Sequence, residues 1–293
     1  MAEIIASLGR INISRHVQST PDWSIIDTPD AVSHLVDTIC LDVGSDAPSQ
    51  VPALYIDIQT VDDSTQGPSV TLLQIYLFPR EHIYLVDVQT LGRQGTFETE
   101  GPAQGETLKT ILESATIPKV FFDVRTDAEI LYHRYGVSLG GVQDLQLMEL
   151  AARAVCPRPL RHLSSLPRCI NRDLNLSILE QITWDKWIAL QKKGSQVEMA
   201  NPRPLSKGSE MMELIGLVVL NVRYLPGLWG EYERRLRTDA SHWKGGNETC
   251  VSREEVWRIR VEQETKKRVE LDKSGQCPLV SVLLLLGERA GGS

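Results

Sequence analysis

The sequence predicts an α/β fold: a mixed five-stranded sheet flanked by helices, with extra helices towards the C-terminus. Three observations predict it. Apolar runs at 53–58, 70–78 and 83–88 are separated only by short turns, a spacing that suits antiparallel neighbours. Two further strand-like runs, at 119–122 and around Val142, alternate with helix-like segments, the order that adds strands beneath covering helices. Beyond Asp144 the apolar spacing is mostly helical.

In chain order, residues 1–22 form a loose lead-in, and Trp23–Ile26 reads as a short strand. Thr28, Pro29 and Asp30 open a helix: Thr28 can cap, Pro29 suits the first helical position, and Asp30 suits the positive helix end. Val32, Leu35, Val36 and Ile39 supply its apolar stripe. The three-strand meander follows, with turns at 62–68 and 79–82, and then a polar, glycine-rich loop at 92–105. A helix is predicted over 106–115, burying Leu108, Ile111 and Leu112. Next come the strand Lys119–Phe122, a helix over 127–135, a short strand at Val142, and a helix that Asp144 caps before Leu145, Leu147, Met148 and Leu150. Further helical segments are predicted at 160–170, 184–190 and 211–236, and a charged one at 252–271. The chain divides into the lead-in 1–22, a main domain 23–236, and a charged helix with an irregular apolar tail at 237–293.

Composition narrows the function classes. Net charge is −7, so binding to a polyanion requires a local basic patch. Arg153, Arg158, Arg161, Arg168 and Arg172 form one such run. It is suited to gripping a phosphate backbone, or alternatively to covering apolar surface with arginine stems. Five cysteines without a CxxC pair point to reduced thiols. His82, His133 and His162 lack metal-ligand spacing, and Gly140-Gly141 reads as a turn. Leu279–Leu286 is too short to span a bilayer; the tail is either a docking segment or a stretch foreign to the fold. No membrane association is expected, and with no secretory signal in view the expected location is intracellular, cytoplasmic or nuclear. The 252–293 region is where a protein partner would bind, although a solvated, salt-bridged surface fits the 252–271 helix better.

The chemistry centres on Leu54-Tyr55-Ile56-Asp57-Ile58-Gln59. Asp57 ends a buried apolar run, where a carboxylate is costly unless a metal, a partner or water compensates it. Gln59 lies on the same strand face. Val70–Ile75 and Tyr84–Asp87 continue the sheet, Lys119–Asp127 ends in an aspartate, and Asn221–Trp229 follows a helical run. These stretches, in this order, resemble ribonuclease D-like 3′–5′ exonuclease domains, the DEDD superfamily with a ribonuclease H-like fold, of the kind also found in Egalitarian-like proteins. The resemblance covers about 23–236. It implies RNA or single-stranded DNA as partner, and two divalent ions, Mg2+ or Mn2+, held by four carboxylates. Asp57 and Asp127 stand at two of those positions. Gln59 and Asn221 stand where the other two carboxylates belong, and Leu217 stands where the family has a water-orienting tyrosine or histidine. The resemblance therefore implies a nucleic-acid-binding exonuclease domain with impaired hydrolysis and weak or single-metal binding. Two alternatives stay open: an active exonuclease in which Asp123 or Asp144 replaces a lost ligand, and a protein–protein interaction scaffold.

Overall fold

The computed structural model describes residues 22–43, 51–63, 67–103, 105–154, 162–192, 215–238 and 253–271. The described strands form one mixed sheet in the order β1-β4-β3-β2-β5-β6. These are β1 (Asp22–Ile26), β2 (Leu54–Asp63), β3 (Gly67–Leu77), β4 (His82–Asp87), β5 (Lys119–Phe121) and β6 (Val142–Asp144). The expected antiparallel meander is β2-β3-β4, with Asp57 facing Gln74 across the β2–β3 ladder. β5 adds parallel to β2, and β6 parallel to β5.

The sheet has six strands rather than five. Trp23–Ile26, read as a short strand and left out of the expected five, pairs in parallel with β4 and extends the far edge. Its half-exposed pattern gives little sign of that pairing, since an edge strand does not need an apolar run on both faces.

Helices cover both faces, because the alternation along β2 sends neighbouring residues to opposite sides. Leu54, Ile56 and Ile58 join one core with α1 (Pro29–Val43), α3 (Leu108–Glu113) and α4 (Arg125–Ile130). Tyr55 faces the other core, with Tyr76, Leu85 and Val120. That core is closed by α5 (Leu145–Ala154), α6 (Leu166–Asp173), α7 (Ile178–Lys192), α8 (Leu220–Arg223) and α9 (Leu225–Thr238).

Three expectations change. The polar loop expected from 92 begins inside α2 (Val88–Arg93), which runs into a π-helical turn at Gln94–Glu98. Asp87 caps α2 by accepting from Thr90 N at 2.9 Å, a local signal that Gly92, at φ 67°, obscures in a periodicity reading. The long helix expected over 211–236 is helical from 215 but breaks at Val219 and Tyr224. Pro226, near the start of α9, cannot continue a preceding helical turn. Finally, α10 (Arg253–Leu271) is not solvated all round: Glu264, Thr265, Arg268 and Val269 are buried. Among the described residues no helix is long and apolar enough to cross a membrane. The lead-in before Asp22 and the tail after Leu271 lie outside the described residues.

Candidate functional site

Asp57 lies on β2 two residues beyond Tyr55, so its side chain takes the same face, towards α7 and α8. Three amides converge on its Oδ2. Gln59 Nε2 donates at 2.7 Å, Gln74 Nε2 at 3.1 Å and Asn221 Nδ2 at 3.3 Å. Trp187 on α7 fixes the last of these by donating from Nε1 to Asn221 Oδ1 at 2.9 Å. The ladder slips by one residue between Gln59 and Thr60, so the strand irregularity begins just past Gln59.

The electrostatics follow from this enclosure. Burial raises the Asp57 carboxyl to about 6, although the hydrogen bonds from Gln59 and Asn221 pull the other way. Asp127, in the first turn of α4, is pushed well above the usual carboxylate range by burial and then by the charges of Asp57, Asp123 and Asp144. The two surviving acids therefore share one acidic neighbourhood. Asn221 completes the amide cluster from α8, and Leu217 is buried in the adjoining apolar core.

Asp123 and Asp144 are committed elsewhere. Asp144 accepts from the backbone N–H groups of Asp123, Val124 and Gln146 at 3.1, 3.3 and 2.9 Å, and from Arg268 Nη1 at 2.5 Å. Asp123, at a left-handed φ of 61°, accepts from Arg125 Nε and Nη2 at 2.6 and 2.8 Å. Burial would raise its carboxyl, but Arg125 and Arg268 bring it below the ordinary value.

The basic run is also largely paired where it is described. Arg153 contacts Glu149 at 2.5 Å, and Arg172 contacts Glu149 at 2.6 Å and Asp173 at 2.5 Å. Arg168 is exposed, and Arg158 and Arg161 lie outside the described residues. Glu149, Cys169 and Asp173 approach one another closely enough to suggest a cation site. However, Arg153, Arg172 and Arg235 already neutralise their carboxylates, and a further cation would meet guanidinium groups. Gln74 and Trp187 are the site residues the sequence reading missed. A glutamine within Leu72-Leu73-Gln74-Ile75-Tyr76 was the available signal, because a buried amide needs a partner.

A six-stranded mixed sheet with helices on both faces is the ribonuclease H-like fold of the exonucleases. The 3′-5′ exonuclease family profile matches residues 43–189. The chain belongs to this family, as a ribonuclease D-like exonuclease domain. Ribonuclease D from Trypanosoma brucei in complex with GMP is similar in structure: TM-score 0.59, 20% identity, covering 88% of this chain and 64% of that one. The same enzyme in complex with RNA U12 aligns at TM-score 0.59 and 20% identity, over 88% of this chain and 72% of that one. The Aedes aegypti Nibbler EXO domain aligns at TM-score 0.51 and 12% identity, over 83% of this chain and 97% of the domain. No curated protein sequence matches the chain.

Divalent metals serve this family, so the site must be tested against them. A hard cation needs anionic oxygens with free lone pairs. Here Asp57 Oδ2 receives three N–H donors, and Gln59 and Asn221 present their amide nitrogens to it. Trp187 occupies the amide oxygen of Asn221. This arrangement does not fit a two-metal centre.

Proposed function

We propose that the chain is a 3′–5′ exonuclease domain that binds RNA or single-stranded DNA but hydrolyses phosphodiesters poorly. One observation carries this reading: the amides of Gln59, Gln74 and Asn221 close on Asp57, filling with hydrogen bonds the place where carboxylates would bridge two metals. Losing one metal's share of transition-state stabilisation costs at least ~10³ in rate. The family supplies the substrate class, and the structural likeness to a ribonuclease D complexed with RNA U12 favours RNA. Asp123 and Asp144 are engaged by arginines and backbone amides, which weighs against either one replacing a lost ligand.

The deciding experiment is restoration. The triple variant Gln59→Glu, Asn221→Asp, Leu217→Tyr is compared with the parent on a 3′-labelled oligonucleotide with Mg2+ or Mn2+. The expected result is trimming by the variant and none by the parent, which nevertheless binds the oligonucleotide. Processive trimming by the parent would overturn the reading.

A second reading, an interaction scaffold without nucleic-acid binding, draws on a specific observation. Arg153 and Arg172 are turned onto Glu149 and Asp173 instead of being left to solvent. No binding of RNA or single-stranded DNA at low salt would favour it.

A further inference from the structure

α10 is attached to the domain in an unusual way for a packed helix. Among its described side chains the buried ones are Glu264, Thr265, Arg268 and Val269; Val269 joins one apolar core and the partly buried Val261 packs against the other. Arg268 Nη1 reaches Asp144 at 2.5 Å and Asp123 at 3.4 Å, while its Nε and Nη2 are buried without a protein partner. Arg258, nearer the start of the helix, pairs with Glu233 on α9. Between these anchors lies a cavity of about 510 Å³, bordered by Gly141, Gln143, Trp229, Leu236, Val261 and Val269. Apolar burial contributes roughly 25 cal/mol per Å2 and is largely insensitive to salt; the half-exposed Arg258–Glu233 pair is screened, while the buried Arg268–Asp144 pair is screened much less, so salt acts on the latch chiefly through Arg258. A helix that borders an open cavity, packs through Val261 and Val269 and is tied by two arginines leans on its ion pairs more than on apolar area.

We propose that α10 is an electrostatic latch: Arg268 and Arg258 hold it over edge strand β6, and it releases as a unit while the rest of the domain stays folded. The acids beneath it give the release a consequence. Asp123 and Asp144 both act on the charge of Asp127, so withdrawing Arg268 makes the acidic cleft more negative. Release also bares the free edge of β6, which is the last strand of the sheet and a pairing surface when uncovered. The proposal does not depend on whether the cleft binds nucleic acid.

Hydrogen exchange on the full chain tests it. Raising salt from about 50 to about 500 mM shrinks the screening length several-fold; the expected result is at least ~10-fold faster exchange of amides 253–271 with β2 and β3 unchanged. Arg268→Gln at low salt should reproduce the effect. Exchange of α10 as slow as that of β2 and β3 at both salts would overturn the latch, and so would loosening of α10 and β2–β3 in parallel. The salt series on the unaltered chain decides the matter even if Arg268→Gln does not fold.

Discussion

At the scale of single residues, Asp57 reverses the usual behaviour of a carboxylate. Most native acids are held below their unfolded pKa and stabilise the fold as pH rises. Asp57 is held above it, at about 6. The folded state therefore keeps the proton to higher pH than the unfolded chain, and stability falls as pH climbs from about 4 through about 6. Asp127 acts in the same direction. Asp57→Asn removes the charge and can keep an oxygen facing Gln59, Gln74 and Asn221. The variant should be more stable than the parent by on the order of 1–2 kcal/mol at about pH 8, and should match it at about pH 4. Urea midpoints at the two pH values check this. Lower stability of Asp57→Asn at pH 8 would mean that the three amides stabilise the anion more than burial penalises it. The sequence could reveal Asp57, Gln59 and Asn221 because their spacing resembles a family motif. It could not reveal Trp187, whose role rests on a contact across 34 residues of chain.

At the scale of elements, the sheet was legible and its accessories were not. β2, β3 and β4 carry apolar runs whose short turns permit little but a meander. α2 hid in a polar stretch because its start depends on one cap and its course on a left-handed glycine. The buried face of α10 hid because it is polar. The end of α3 shows how such local pieces are secured. Lys119, fully buried on β5, donates from Nζ to Ile111 O at 2.8 Å and Ser114 O at 2.7 Å. Gly140 N closes Leu112 O at 3.0 Å. A Cβ on Gly140 would lie 2.3 Å from Glu113 O, so the turn at 140–141 can approach the helix end only as glycine. Together these groups satisfy carbonyls that a helix terminus leaves open. Burial lowers the Lys119 ammonium to about 7, while the two carbonyls hold the proton. With its folded pKa below the unfolded one, the unfolded chain binds more protons between the two values, so stability rises with pH across that window. Between about pH 7 and 9.5 the parent should gain on the order of 1–3 kcal/mol from this group, and Lys119→Met should lose that slope. An unchanged slope in Lys119→Met would assign it to other groups.

At the scale of the whole molecule, the proposed function requires a chain of net charge −7 to hold a polyanion. Counterion release offers a count of the contacts, because each neutralised phosphate on a single strand contributes about −0.7 to the slope of log K against log salt. A grip by all five arginines of the 153–172 run would give a slope near −3.5. The ion pairs argue for fewer contacts. Arg172 is shared between Glu149 and Asp173, and Arg153 is set against Glu149. Glu149 is held by both Arg153 and Arg172, and Asp173 by Arg172 and Arg235, so turning both Arg153 and Arg172 to phosphate would leave the buried Glu149 without an arginine, at a cost of several kcal/mol. Arg168 is exposed, and with Arg158 and Arg161 it would make at most three phosphate contacts, for an expected slope of about −2. Fluorescence anisotropy with a short single-stranded RNA across a salt series measures this directly. Combined Arg158→Ala, Arg161→Ala and Arg168→Ala should flatten the slope. Arg172→Ala should instead lower the melting temperature and leave the slope unchanged, because its charge already serves Glu149 and Asp173. A slope steeper than about −3, or one that Arg172→Ala reduces, would show that these ion pairs open to the nucleic acid. The 153–172 surface would then be a grip and not a strut.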